Sequence, residues 1–554
     1  MPSFFRLIDR FRRDKRANVA MIFGIAVVPL ISAMGCAVDY SMATRMRAKL
    51  QSAADAASVA SLSQKSAGFT AAALMSSDGS VTAGVTEANN IFDGNVGTIT
   101  GYTNLTRTSV VTKTGIKLTS NVSFSADVPT NFMRVVGFQK LTVTGVSKST
   151  ASLPPYLDFY LALDVSGSMG LPSTPAEAVR MQSISPDNWV QYRTGCTLAC
   201  HFAPQKSACV DPPVTPPAAP ASNPATNSNY SQQYNTNNYC MGYVYSRLSQ
   251  SALSALINQA STSSVKKQVP GLPVAMLSGL NTTVTPGSPN SLITGNTSSL
   301  PYSLTAATSC PTDGTDACIQ LRLDAVGFAL TQLFIKANAD EKVTDQFRIG
   351  LYPFITDIDK SYSPLTKTIN GSASTPGTIN YAAANLATEL DTNLNATLGS
   401  GGTHIDNALN SLNNLIVSVG DGSTSSNTQP FIFLVTDGAQ DNQYKDVNGS
   451  WHGSNHATVL TDLVNAYPGI CTTIKNRGII ISVLNIPYQT INPVNTTFAG
   501  DEDDYANNNI PNIAPSLQAC ASPNFYFSAG TPTGINDALK KMFDQALKTA
   551  HITN

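Results

Sequence analysis

The sequence predicts an α/β protein built on a doubly wound, mostly parallel sheet with a long insertion, preceded by a transmembrane helix and a small α+β domain. Three observations predict it. From residue 322 onward, helical and strand-like patterns alternate. Residues 17–38 carry no charge. Of the nine cysteines, all but Cys36 lie beyond residue 195, and six of them flank or punctuate a stretch rich in Pro, Ala, Ser and Asn.

The elements follow in order. Residues 6–16, "RLIDRFRRDKR", are basic. The next 22 residues, "ANVAMIFGIAVVPLISAMGCAV", are long enough to span a bilayer, which takes about 20 apolar residues, and long for a cleaved signal peptide. A basic flank stays on the cytoplasmic side, so residues 1–16 form a cytoplasmic tail and the bulk of the chain is exported. Residues 39–62 continue as a helix, with Met42, Met46, Leu50, Ala53 and Ala57 at three- and four-residue spacing. Strand-like runs such as "VTKTGIKLTSNVSFSADV" and "FQKLTVTGVSKSTA" complete a domain over residues 39–150, a long helix leading into a small sheet in a pilin-like layout.

From Tyr156 the pattern changes. "YLDFYLALD" is a buried strand. Residues 171–320 are an irregular insertion in which "PPVTPPAAPASNPATNSNYSQQYNTNN" has too little apolar surface to form a core. Cys196, Cys200, Cys209, Cys240, Cys310 and Cys318 read as disulfide staples of an oxidising compartment, with no pairing favoured. Zinc on Cys196, Cys200, His201 and Cys209 has no usual spacing behind it. After the insertion come helix, strand, helix, strand, helix, strand, the strand "NFYFSA", and a closing helix that ends near residue 549.

In sheets of this kind ligands sit beyond the carboxyl ends of the strands. Three such loops are rich in oxygen. "LALDVSGSMG" offers Asp164, Ser166 and Ser168; "GSGGTHIDNAL" offers Thr403; "FLVTDGAQD" offers Asp437. Alone, each reads equally well as a turn or a helix start. Together they supply two carboxylates and three hydroxyls, a donor set that suits magnesium, which takes octahedral oxygen ligands at roughly 2.0–2.1 Å and keeps several waters. In order and position, the set resembles the von Willebrand factor type A domain, a Rossmann-like fold, and its metal-ion-dependent adhesion site (MIDAS). The resemblance covers about residues 156–170 and 320–549. It implies that Asp164, Ser166, Ser168, Thr403 and Asp437 hold Mg2+, with Mn2+ or Ca2+ as alternatives, and that an Asp or Glu of a protein partner completes the metal shell. Within that domain Cys471 and Cys520 are expected to pair.

The segment "RANVAMIFGIAVVPLISAMGCAVDYSMATRMRAKLQSAADAASVAS", followed by "VPTNFMRVVGFQKLTVTGVSKSTA", resembles the TadE/TadG-like part of tight-adherence (Flp-type) pilus assembly proteins, and the whole order of parts is similar to the TadG-like members. That resemblance implies a single-pass protein of a bacterial inner membrane, with its bulk periplasmic or extracellular, whose partner is another pilus assembly component or a pilin. A different class stays open: a structural minor pseudopilin with a vestigial metal site. The net charge of −1 with 12% charged residues offers no basic surplus for nucleic acid. Neither a nucleophile–base motif nor a P-loop lysine occurs, so no enzyme and no organic cofactor are expected. "GDEDDY" (500–505) reads as a solvated acidic loop, with a calcium loop as the rival reading.

Overall fold

The computed structural model describes residues 15–182, 246, 249, 309–391, 397–399, 401–445, 451–452, 469–488, 490 and 502–553. The chain divides into two compact units, Met1–Pro154 with Lys342–Thr344, and Pro155–Glu341 with Asp345–Asn554.

In the first unit, α1 (Lys15–Ala60) is one continuous helix through both the uncharged stretch and the amphipathic one. Among the described residues it is the one helix long and apolar enough to cross a membrane. Its second half buries Ala43, Met46, Leu50, Ala53, Ala54 and Ala57, a stripe at helical spacing. Met42, expected in that stripe, is exposed, because it sits one position off the face. Helices α2 (Ala67–Leu74) and α3 (Thr82–Val96) come next, in a region where the sequence pattern points only to strands. The alanine-rich α2 and an α3 that buries only Gly84, Ala88, Phe92 and Val96 give little periodic signal. An antiparallel sheet is ordered β1 (Gly79–Ser80), β2 (Thr103–Thr114), β3 (Lys117–Pro129), β4 (Lys140–Ser152). Alternate β3 residues Val122, Phe124, Ala126 and Val128 meet the α1 stripe and Phe92 in one core.

The second unit has a six-stranded sheet. In chain order its strands are β5 (Leu157–Asp164), β6 (Phe347–Phe354), β7 (Ser363–Thr366), β8 (Gln429–Thr436), β11 (Ile480–Asn485) and β12 (Tyr526–Ser528), with a separate hairpin of β9 (Tyr444–Lys445) and β10 (Trp451–His452). The spatial order is β12-β11-β8-β5-β6-β7, every neighbour pairing parallel except β6–β7. Each residue of β5 and β8 is buried, which explains their nearly unbroken apolar runs. Odd-numbered β5 residues Leu157, Phe159, Leu161 and Leu163 pack on α5 (Arg322–Asp340) and α10 (Pro532–Thr553). Tyr160 and Ala162 face the opposite core, built with α7 (Ile405–Leu415), α8 (Ile470–Asn476) and α9 (Glu502–Cys520). Two shorter helices, α4 (Pro175–Gln182) and α6 (Ile379–Ala384), complete the unit. Phe159 touches Phe431, Phe433 and Phe543 at centroid distances of 5.5, 5.2 and 5.3 Å, so its truncation to Ala should cost roughly 3–5 kcal/mol.

Two expectations need correction or completion. Residues 502–505 of the acidic motif begin α9 and are not a loop; residues 500–501 lie outside the described residues. The disulfide Cys471–Cys520 ties α8 to the end of α9, and a second one closes Cys310–Cys318. Cys196, Cys200, His201, Cys209 and Cys240 lie outside the described residues.

Candidate metal centre

The site is assembled at the carboxyl end of the sheet. β5 ends at Asp164, and the chain then turns through a short 3-10 helix, Gly167–Gly170. The Asp164 carboxylate accepts the Ser166 N–H at 3.0 Å through Oδ1 and the Thr436 hydroxyl at 2.5 Å through Oδ2. Ser166 and Ser168 bring their hydroxyl oxygens to 3.3 Å of each other, so alternate spacing does converge them. Thr436 is the last residue of β8, and Asp437 follows it directly. Gly438, at φ +84°, lets this turn lie against α9; a Cβ there would stand 2.4 Å from Ile513 Cγ2.

Thr403 is held by its backbone to the loop that follows Asp437. It exchanges two hydrogen bonds with Asp441, at 2.9 and 3.0 Å, in the loop that leaves Asp437. Gly402 makes this approach possible, since a Cβ there would meet the Gln443 carbonyl oxygen at 2.1 Å. The Asp391 carboxylate accepts the Gly401 N–H while the Asp391 N–H donates to the Val165 carbonyl, which ties the Thr403 loop to the Asp164 loop. His404 stands at the N-cap of α7.

The electrostatics are severe. Asp164, Ser166, Thr403 and Asp437 are all buried, and Asp437 is wholly so. Among the described residues neither oxygen of Asp437 accepts a hydrogen bond of normal geometry, although the Ser168 hydroxyl and the Ala439 N–H stand close enough to favour its charged form. Its nearest cation is Arg322, the first residue of α5, whose Nη1 stands 3.7 Å from Asp437 Oδ2 and has no hydrogen-bond acceptor of its own. A buried ion with incomplete partners costs several kcal/mol. Burial, and then the charge of Asp437, push the Asp164 carboxyl up to about 7, against the pull of Ser166 and Thr436. Asp437 is also raised by burial, with Arg322 opposing. Arg322 compensates Asp437, while Asp164 faces the charge of Asp437, so the pocket is short of positive charge.

The donor set fits a divalent cation on that ground: orphaned carboxylate oxygens lie beside two converging hydroxyls. Among the described residues, no group of three or more His, Cys, Asp or Glu side chains could hold an ion, so any metal here would rest on two carboxylates and hydroxyls. Four further residues take part that the motif pattern does not reveal. Thr436 has a faint signal as the neighbour of Asp437 in "VTD". Arg322, Asp391 and Asp441 act through tertiary contacts and leave no local signal.

Directly after this loop the chain is zipped to its own return. Leu171 accepts the Arg322 N–H, Pro172 bridges Leu321, and Ser173 pairs with Gln320. Glu177, wholly buried on α4, accepts the N–H groups of Gly314 and Gln320 and the Arg180 guanidinium. The long excursion therefore leaves and re-enters beside the candidate site.

Residues 17–64 match the family model described as "Putative Flp pilus-assembly TadE/G-like". None of the curated proteins matches the chain. Solved structures give slight likenesses. The pilus adhesin SpaC from Lactobacillus rhamnosus GG, in its open conformation, has a TM-score of 0.29 at 11% identity, covering 80% of this chain and 34% of that one. The PilB minor pilin from Streptococcus sanguinis has 0.28 at 10%, covering 81% and 78%. The vWF domain of the type V pili tip protein Mfa5 from Porphyromonas gingivalis has 0.23 at 15%, covering 42% and 88%. The chain thus spans about a third of the SpaC chain. Likenesses of this size carry no argument about its fold or function.

Proposed function

We propose that this chain is a TadG-like pilus assembly and adhesion factor, held in a bacterial inner membrane by residues 17–38. In this reading its second unit is a doubly wound von Willebrand factor type A domain, which binds a protein partner through a divalent metal. Asp164, Ser166, Ser168, Thr403 and Asp437 would hold the ion, Mg2+ first. When bound, the ion supplies a Lewis-acidic position that an Asp or Glu of the partner, another pilus component, can complete. The protein's own part is to hold the oxygens in place. The Ser166 N–H and Thr436 fix the Asp164 rotamer, and Asp441 fixes the backbone of Thr403. The TadE/G-like match at residues 17–64 supports the pilus assignment.

One observation carries the metal reading: Asp437 is wholly buried, neither of its oxygens accepts a hydrogen bond of normal geometry, and the Ser166–Ser168 hydroxyl pair lies beside it. The test is thermal unfolding of the full chain in detergent, with magnesium or with EDTA. Magnesium at a hundredfold excess over its Kd should add about 2.7 kcal/mol, and Ser166→Ala should abolish that gain. No gain in the unaltered chain would remove the metal from the account.

Arg322 favours a second reading. A guanidinium 3.7 Å from Asp437 is a built-in cation, which would suit a structural minor pseudopilin whose metal site is vestigial. In that case Ser166→Ala is neutral and changes at Leu50 or Ala53, in the α1 stripe, block assembly.

A further inference from the structure

The turn between β3 and β4, residues 130–139, is built in an unusual way for an exported surface. Four of its large apolar side chains face outward: Phe132 is 47% exposed, Val135 84%, Val136 50% and Phe138 58%. An isolated exposed apolar residue needs no explanation, but four in one short turn do. The turn is nevertheless fixed. The Asp39 carboxylate accepts the N–H groups of Asn131, Phe132 and Met133 at 3.0, 2.8 and 2.6 Å. Those bonds cap the 3-10 helix Met133–Val136 and lock the turn to α1.

The position of the lock is informative. Asp39 is the first charged residue after the uncharged stretch 17–38, so it marks where a membrane span would end. Phe132 packs even closer to the span. It lies over Gly35, where an added Cβ would come within 2.4 Å of Phe132 Cβ. Gly35 is one helical turn, roughly 6 Å, inward of Asp39. Beside Gly35 and Asp39, α1 exposes Ile31, one helical turn inward of Gly35, and Val38, next to Asp39. The apolar surface of the turn is thus continuous with the apolar surface of the span. Exposed Arg134 in the same turn is a cation that would stand at the level of lipid headgroups.

We propose that residues 132–138 are a membrane wedge, inserted into the outer leaflet of the bilayer that α1 crosses and pinned there by Asp39 and Gly35. The wedge would give the first unit a second attachment beside its helix and fix its rotation about the helix axis. The inference rests on residues 17–38 spanning a membrane and is independent of the metal reading.

The test uses the full chain with Val135→Trp, reconstituted into phosphatidylethanolamine–phosphatidylglycerol vesicles, with the emission of Trp189 and Trp451 subtracted by means of the parent chain. The added indole should emit blue-shifted and lose most of its intensity to lipids brominated near the headgroup, and little to aqueous iodide. Adding Asp39→Ala should release the turn, so that lipid quenching falls and iodide quenching rises. Quenching by iodide alone would place the turn in water and overturn the wedge. Quenching by neither would show that protein covers the turn, which overturns the wedge as well. Unchanged quenching after Asp39→Ala would overturn the pinning. Co-flotation of the chain with the vesicles is read separately, and its failure would count against the span itself.

Discussion

Asp39 and Asp437 are both almost completely buried aspartates, and their surroundings are opposite. Asp39 accepts three backbone N–H groups. Asp437 accepts no hydrogen bond of normal geometry and has a guanidinium at 3.7 Å. The contrast extends to their neighbours. Asp127, in the first unit, is bonded by Lys140, Asn104 and Thr142, which hold its carboxyl down at about 2. Asp164, in the second, is pushed up to about 7 by burial and by Asp437. The first unit uses its buried carboxylates for structure. The second leaves a pair that one guanidinium only partly compensates, and the proposed metal site rests on that contrast.

The largest expected effect that would break this comparison is Arg322→Met. Removing one partner of a buried ion pair typically costs about 3–5 kcal/mol, and that loss should be read by denaturation of the full chain in EDTA. If a divalent ion belongs at Asp437, magnesium should recover most of it. If magnesium recovers none, Arg322 is the resident cation and the vestigial reading gains. Next is Asp164→Asn. It should leave stability in EDTA at pH 8 equal or higher, because it removes a starved charge, while erasing the magnesium gain of about 2.7 kcal/mol at a hundredfold excess over Kd.

A smaller effect follows from pH. The raised Asp164 carboxyl gives the folded, metal-free state an extra proton between about pH 4 and pH 7. Stability in EDTA is therefore highest at the acid end of that window and falls as pH rises through it, by at most about 1.4 kcal/mol per pH unit for each such group. With magnesium the trend reverses, because the ion needs the ionised carboxylates, so its stabilising effect should be larger at pH 8 than at pH 5. A metal-free stability that rises over this window would contradict the starved-carboxylate picture. The smallest expected difference is on the control side. Asp39→Ala should lower the melting temperature equally in magnesium and in EDTA, since all partners of Asp39 are in its own unit.

Much of this is legible in the chain itself, for physical reasons. The β5 and β8 strands announce themselves because burial on both faces favours apolar residues along nearly the whole run. Asp164, Ser166 and Ser168 are visible because a loop that converges oxygens on one point leaves a local spacing. The α1 stripe is visible apart from its phase, which puts Met42 in the core where Ala43 belongs. Helix α9 escapes notice because Pro511 and Pro515 in its interior and acidic residues at its start read as breaks. Arg322, Asp391 and Asp441 are invisible because their roles come from residues far along the chain, such as Arg322 with Asp437, Asp391 with Val165 and Asp441 with Thr403.

Calorimetric titration of magnesium into the full-length chain in detergent, beside the same titration of Asp164→Asn, tests the central claim most directly. The account predicts a single saturable site in the unaltered chain and none in the variant. Equal heats in the two chains, or no saturable binding in either, would contradict it.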